Sequence, residues 1–259
     1  MDASPPVVVI TDGHQPLLRR TVARVRPPLW LIAPDEGFAA AANTALERAR
    51  SEGFPSIILL NDDAALLPGA REVLAREVAR PGVGAAGALL LEEDGRTIQS
   101  AGLSVRLRGG RVRALRPGTA PVGSSRAVAA LPATALALRV GPALAVGGFD
   151  AERFPFYFED VDLCLRLRDA GYRVALAPGA RAVHAGGASA GRRSAFSTYH
   201  GTRGQIALCR AHPAPHPAAP LVAAAMSAAT LLRDGDDPRA VRVRALLRGI
   251  REGWRSPAR

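Results

Sequence analysis

Three short, unbroken aliphatic runs constrain the fold of this chain more than any other feature. Val7-Val8-Val9-Ile10, Leu29-Trp30-Leu31-Ile32 and Ile57-Ile58-Leu59-Leu60 show no polar alternation. A strand that is apolar on both faces must be covered on both faces, and such strands belong to parallel sheets flanked by helices. The segments between them, Gln15 to Val25 and Ala39 to Arg50, have helical composition and supply the covers. Each run leads into an acid, in Thr11-Asp12-Gly13, Pro34-Asp35 and Asn61-Asp62-Asp63. Ligands of open α/β sheets gather beyond the carboxyl ends of the strands, so these acids stand where a site is expected.

The second half continues in the same style. The glycine-, arginine- and proline-rich stretch from Arg106 to Ser125 reads as a loop or hairpin, with Arg108-Gly109-Gly110-Arg111 as its turn. Ala127 to Arg139 reads as a further strand, and Gly147-Gly148-Phe149-Asp150 as a tight turn. Glu159-Asp160-Val161-Asp162 opens a helix that ends at Gly171, a good C-cap residue. The apolar strand Arg173 to Ala177 follows, then a turn at Pro178-Gly179, and then His184. From His184 to Ser194 glycine and serine suggest a loop, and Tyr199 to Arg210 and Arg239 to Trp254 read as helices separated by the proline-rich HPAPHPAAP. Residues 1–195 are expected to form one α/β domain, with 196–259 a helical extension packed on it.

Composition excludes more than it selects. The net charge is +11, yet all 34 basic residues are arginine in an alanine-rich chain, the mark of a GC-rich coding bias rather than of a nucleic-acid partner. Aromatics are only 5 % and no nucleic-acid motif is present, so nucleic acid is not an expected ligand. Cys164 and Cys209 build neither a disulfide framework nor a metal cluster. The N-terminal MDASPPVVVI lacks the basic and long apolar regions of an export signal, and Ala218 to Leu232 is too short and alanine-rich for a membrane span. The expected location is cytoplasmic, with peripheral contact at the inner face of the plasma membrane through the apolar, arginine-rich C-terminal portion.

Two acidic groups carry the chemistry. Asn61-Asp62-Asp63 follows a buried strand and offers hard oxygen ligands to a divalent cation bridging a diphosphate; the same residues also suit a turn and helix cap. In the second group, three acids in a first helical turn are favoured by the helix dipole alone. Spacing separates them: Asp162 has Arg166 four residues on, an ion-pair geometry, whereas Asp160 faces Leu163 and Cys164 with no such partner. A carboxylate beside apolar neighbours has a raised proton affinity, which makes Asp160 the candidate general base. His184 is either an ordinary histidine or a ligand brought to the acids by the fold; His14, His200, His212 and His216 carry weaker signals.

Taken in order, these pieces resemble the family 2 inverting glycosyltransferases of GT-A fold, in particular their rhamnosyltransferase-like and galactofuranosyltransferase-like branch. The carrying residues are Gly37-Phe38-Ala39-Ala40-Ala41-Ala42-Asn43, LLNDDA from Leu59, Gln99-Ser100-Ala101-Gly102, Gly147-Gly148-Phe149-Asp150, FYFEDVDLCLRLRDAGYRV from Phe156, Pro178, His184, Tyr199-His200 with Arg203, and LLRGIREG. The resemblance implies a GT-A nucleotide-diphospho-sugar transferase with a shortened N-terminal half, since one strand-helix unit precedes Gly37 where the family has two. It implies Asp63 and His184 as ligands of Mn2+ or Mg2+. Asp12, Gly37, Asn43, Asn61 and Asp62 would lie on the nucleotide-sugar donor, Asp160 would be the base, and Glu159 would orient the acceptor. The function so implied is metal-dependent inverting transfer of a sugar to a cell-envelope glycan or lipid-linked acceptor. A non-catalytic relative with a truncated nucleotide site is the alternative, and a nucleotidyltransferase or phosphohydrolase using the same acids is a third.

Overall fold

The computed structural model describes residues 4–13, 18–23, 25–107, 110–116, 123–185, 194–212 and 217–257. The three aliphatic runs form β1 (Val7–Ile10), β2 (Leu29–Ile32) and β3 (Ser56–Asn61), all parallel, with β1 in the middle. Between them run α1 (Leu18–Ala23) and α2 (Phe38–Ser51). Then come β4 (Ala64–Leu66), α3 (Ala70–Val78) and β5 (Val83–Leu91), which is buried along its whole length. The short β6 (Ile98–Ser100) returns along β5, and β7 (Leu103–Arg106) with β8 (Arg111–Ala114) makes a separate hairpin.

The chain re-enters the sheet through β9 (Arg126–Ala127) and β10 (Ala135–Arg139), followed by α4 (Val140–Ala145), α5 (Glu159–Asp169) and β11 (Arg173–His184). Helices α6 (Ala195–Ala211), α7 (Ala219–Ala229) and α8 (Arg239–Arg255) complete it. The sheet order is β2-β1-β3-β10-β5-β11-β4; β10 and β4 oppose the direction shared by the other five. This is the mixed, mostly parallel α/β sheet that the sequence indicates.

Uninterrupted aliphatic runs are needed in β1 and β3 because each feeds two cores, whereas at the edge strand β2 Leu31 is exposed. Val8, Ile10, Ile57 and Leu59 pack with residues of α2 and α5, while Val7, Val9, Ile58 and Leu60 pack with residues of α3. Successive side chains of a strand point to opposite faces, so only a run apolar at every position fills both layers. Each such aliphatic side chain contributes about 1.5–3 kcal/mol of burial, which makes these runs the framework on which the acids hang.

Two local expectations change. Ala127 to Arg139 is not one strand: β9 and β10 are separate, and the segment between them lies against α5 rather than within the sheet. Pro178-Gly179 is not a terminating turn either. Strand β11 continues through it, with Ala177 paired to Ala88 and Arg181 to Leu89, so residues 178–180 bulge out of the ladder. Proline lacks the N–H that a regular ladder needs, and a bulge is where a sheet tolerates it. The expected turn residues Arg108 and Gly109, the loop from 186 to 193, His14, and residues 213–216 of the proline-rich segment (with His216) lie outside the described residues.

No helix among the described residues is long and apolar enough to cross a membrane. Helix α6 is fastened to the loop before α5. Arg203 donates to the carbonyls of Arg153 and Glu152 at 2.8 and 3.0 Å. A Cβ on Gly204 would lie 2.8 Å from the carbonyl oxygen of Tyr157 and 2.9 Å from the Phe158 ring, so glycine alone permits the approach.

Candidate active site

The acids at the end of β3 and those at the start of α5 are joined by two consecutive residues. The backbone N–H of Asn61 donates to the carbonyl of Thr134 at 3.0 Å, and the N–H of Ala133 donates to Asp160 Oδ2 at 3.0 Å. The segment leading into β10 therefore holds both acidic groups at one edge of the sheet.

Beyond β3 the chain turns sharply to reach β4 at the far edge. Thr21 of α1 fixes that turn, its hydroxyl donating to the carbonyls of Asp62 and Ala64 at 3.0 and 2.7 Å. Strand β4 pairs antiparallel with the end of β11, placing Ala64 opposite His184. This register brings Asp63 Oδ1 to 3.1 Å from His184 Nε2, with both side chains largely buried. The meeting of His184 with Asp63 depends wholly on strand pairing across the chain.

The pair offers a carboxylate oxygen and an imidazole nitrogen, donors that suit Mn2+ and, through the oxygen, Mg2+. Among the described residues no group of three or more His, Cys, Asp or Glu side chains converges as a metal site. A cation held by these two residues would need the rest of its shell from other oxygens.

On the other side, Tyr157 and Phe158 both adopt positive φ, 62° and 69°. Bulky residues pay strain for that region, and such strain collects at functional sites held by their surroundings. Glu159 and Asp160 follow at once. Glu159 is 7 % exposed, and its Oε2 is buried without a hydrogen-bond partner among the described residues. Burial, and then the charge of Asp160, push its carboxyl well above the ordinary range. Burial also raises Asp160, opposed by the N–H groups of Ala133 and Val161. Asp160 has no i+4 ion-pair partner on its helix, and two backbone donors, at 3.0 and 2.7 Å, aim the carboxylate.

Asp162 does something different. It is fully buried, takes Nε and Nη2 of Arg166 at 2.8 and 2.7 Å, and faces Nε2 of His212 at 2.8 Å. His212, which the sequence placed in a linker, is the buried C-cap of α6.

Of the expected donor-side residues, Asp12 is exposed just past β1, at the sheet edge where Ile10 pairs with Asn61. Asp62 is buried beside Asp63. Asn43 and Gly37 contact the segment that leads to α5. The Asn43 amide donates to the carbonyl of Phe149 at 2.8 Å and accepts from its N–H at 2.7 Å, tying α2 to the Gly147-Gly148 turn. Gly37, at φ 105°, leaves room for the carbonyl of Pro155, which a Cβ would approach to 2.8 Å. The structure thus gives both a part in shaping the loop before Glu159. Thr21, Ala133 and Thr134 carry no sequence signal for their roles, because they act through backbone groups or backbone partners.

Residues 6–207 match the family described as Glycosyltransferase like family 2. The chain belongs to that family. An N-acetylglucosaminyl-diphospho-decaprenol L-rhamnosyltransferase of Mycobacterium tuberculosis is 33 % identical over 210 residues, covering 70 % of this chain and 66 % of that protein. The uncharacterized protein y4gI of Sinorhizobium fredii is 35 % identical over 164 residues, 60 % of this chain and 17 % of its own length. The family 2 chain therefore spans a small part of y4gI and just under two thirds of the rhamnosyltransferase. Among solved structures, the mannosyltransferase PcManGT from Pyrobaculum calidifontis, in complex with GDP-Man and Mn2+, aligns with 98 % of this chain and 88 % of its own at a TM-score of 0.54 and 19 % identity. GalNAc-T7 with UDP, GalNAc and Mn2+ aligns with 70 % of this chain and 43 % of its own at 0.56 and 13 %. The fold is GT-A.

Proposed function

We propose that the chain is a metal-dependent inverting glycosyltransferase that moves a sugar from a nucleotide-diphosphate donor to a cell-envelope glycan or lipid-linked acceptor. The observation that carries this reading is the tie from Asn61 to Thr134 and from Ala133 to Asp160, which sets a cation-fitting pair and a proton-accepting carboxylate on one sheet edge. A cation held by Asp63 and His184 would neutralise charge on the departing diphosphate. Asp160, aimed by Ala133 and Val161, takes the proton of the acceptor hydroxyl as its oxygen bonds to the anomeric carbon and the bond to the diphosphate breaks. Attack from the face opposite the leaving group inverts the configuration. Glu159 orients the acceptor, and Asp12, Asn61 and Asp62 lie toward the donor.

Family membership and the rhamnosyltransferase relative support the transfer chemistry, and the Mn2+ complexes of the fold neighbours are consistent with the cation. Peripheral membrane contact belongs to the same proposal. Val241, Leu247 and Trp254 are exposed on α8 along with Arg244, Arg248, Arg251 and Arg255, a composition that suits an anionic lipid surface.

The test is transfer from a panel of nucleotide-diphosphate sugars, with Mn2+ or Mg2+ and an alkyl-diphosphate-linked N-acetylglucosamine acceptor, reading product configuration by NMR. Inverted product from one donor is expected. Absence of both donor binding and turnover across the panel would leave a non-catalytic relative. Retained configuration would reject the single displacement.

A further inference from the structure

Antiparallel β5 and β6 pair Leu90 with Ser100 but Leu91 with Ile98, so Gln99 is an extra residue, the bulge of this ladder. Bulges re-aim side chains and gather beside active sites. The turn that carries this one is firmly built: Asp94 accepts from the N–H groups of Arg96 and Thr97, each at 2.8 Å, and from the Thr97 hydroxyl.

The re-aimed Gln99 side chain reaches His184. Its Nε2 lies 3.2 Å from the carbonyl oxygen of His184 and 3.2 Å from Glu92 Oε2. Both partners are acceptors, so the NH2 end of the amide belongs there. Its Oε1 then sits 2.6 Å from His184 Nδ1, and an amide oxygen can only accept, so Nδ1 carries the hydrogen. In the neutral ring the lone pair is left on Nε2, the atom facing Asp63 Oδ1 at 3.1 Å. Two acceptors at that separation are reconciled by a shared cation, either a proton on Nε2 or a metal ion bound by both.

We propose that Gln99, anchored by Glu92, is a positioning residue that fixes the tautomer and ring plane of His184, so that Nε2 is presented with Asp63 to a divalent cation. The proposal rests on the reading of Asp63 and His184 as cation ligands. Outer partners of this kind set ligand orientation, and their loss weakens metal affinity by about 10–100-fold.

The experiment measures Mn2+ alone, by the EPR signal of the free ion, on wild type, Gln99→Leu, Glu92→Ala, His184→Ala and the Gln99→Leu/His184→Ala double variant. Imidazole tautomers are read by 15N-resolved NMR of the metal-free proteins at pH 8. Expected are an Nδ1–H tautomer of His184 in wild type, a redistribution toward Nε2–H in Gln99→Leu, and a roughly 10–100-fold weaker Mn2+ affinity. Glu92→Ala should show the same changes at smaller size, and the double variant should bind no more weakly than His184→Ala. An Nε2–H tautomer in wild type, or unchanged tautomer and affinity in Gln99→Leu, overturns the proposal. A wild type that binds no Mn2+, with or without added donor, while Gln99→Leu still shifts the tautomer would uphold the positioning role and reject the metal reading.

Discussion

The N–H of Ala133 donates to Oδ2 of Asp160 across 3.0 Å, so a residue just ahead of β10 aims the carboxylate at the start of α5. An amide oxygen can accept the same bond, which separates loss of chemistry from loss of structure. Asp160→Asn is expected to lower kcat for transfer by about 10²–10⁴-fold, the usual worth of a positioned base. Donor Kd from calorimetry and Tm should stay near wild type. Retained turnover would remove Asp160 from the role of base.

Burial raises both Glu159 and Asp160, so the pair keeps protons that ordinary carboxyls would have lost. Transfer requires the base deprotonated, so kcat/KM should climb with pH along a limb lying above the ordinary carboxylate range. The stability sign is opposite. The folded state binds more protons than the unfolded chain between the unfolded and folded pKa values, so stability falls as pH rises through that window. Glu159→Gln should therefore raise Tm more at pH 8 than at pH 4.5, while the kcat/KM limb, which belongs to Asp160, should stay near its wild-type position. A Tm difference independent of pH would show that Glu159 carries no such burden.

Asp162 is a buried anion shared by Arg166 and His212. Removing one partner of a buried pair leaves the other uncompensated, at about 3–5 kcal/mol. Asp162→Ala should cost that much in urea denaturation, and it should cost more than Arg166→Ala, because two partners lose their acceptor. Similar losses for the two variants would mean that His212 contributes little.

Gly204 touches the strained pair directly, with Tyr157 O at 2.8 Å from where a Cβ would stand. Gly204→Ala should push Tyr157 and Phe158 away from α6 and shift the acids that follow. The expected outcome is a stability loss of about 1–3 kcal/mol, as for other overpacked sites, with a larger proportional fall in kcat than in donor affinity. An equal effect on both would indicate general loosening instead.

How much of this was legible beforehand follows from the range over which each contact acts. The parallel core was readable because apolar runs without alternation have one use. The Asp162–Arg166 pair was readable because its spacing is local, and that left Asp160 as the candidate base. The family resemblance, through LLNDDA and the FYFED stretch, carried the pairing of Asp63 with His184, a contact made by β4 docking on β11. Gln99 lies in the family-like Gln99-Ser100-Ala101-Gly102, but its role is not legible there, because a bulge depends on the partner strand and leaves no mark in sequence. The prolines that follow His212 give it the look of a linker residue, yet the helix that ends there delivers it to Asp162. The resemblance implies Asn43 as a donor contact; the bonds of its amide to the backbone of Phe149, more than a hundred residues later, are not legible in the sequence.

The contacts of α6 with residues 152–158 and with Asp162 also set a timetable. Arg203, Gly204 and His212 leave the ribosome some fifty residues after the loop and acid they hold in place. Until they arrive, Tyr157 and Phe158 lack the helix that packs against their backbone, and Asp162 lacks the imidazole of His212. The sheet can assemble early from its own aliphatic strands, but the arrangement around Asp160 waits for a late helix. A growing chain is thereby a folded scaffold before it is a competent one.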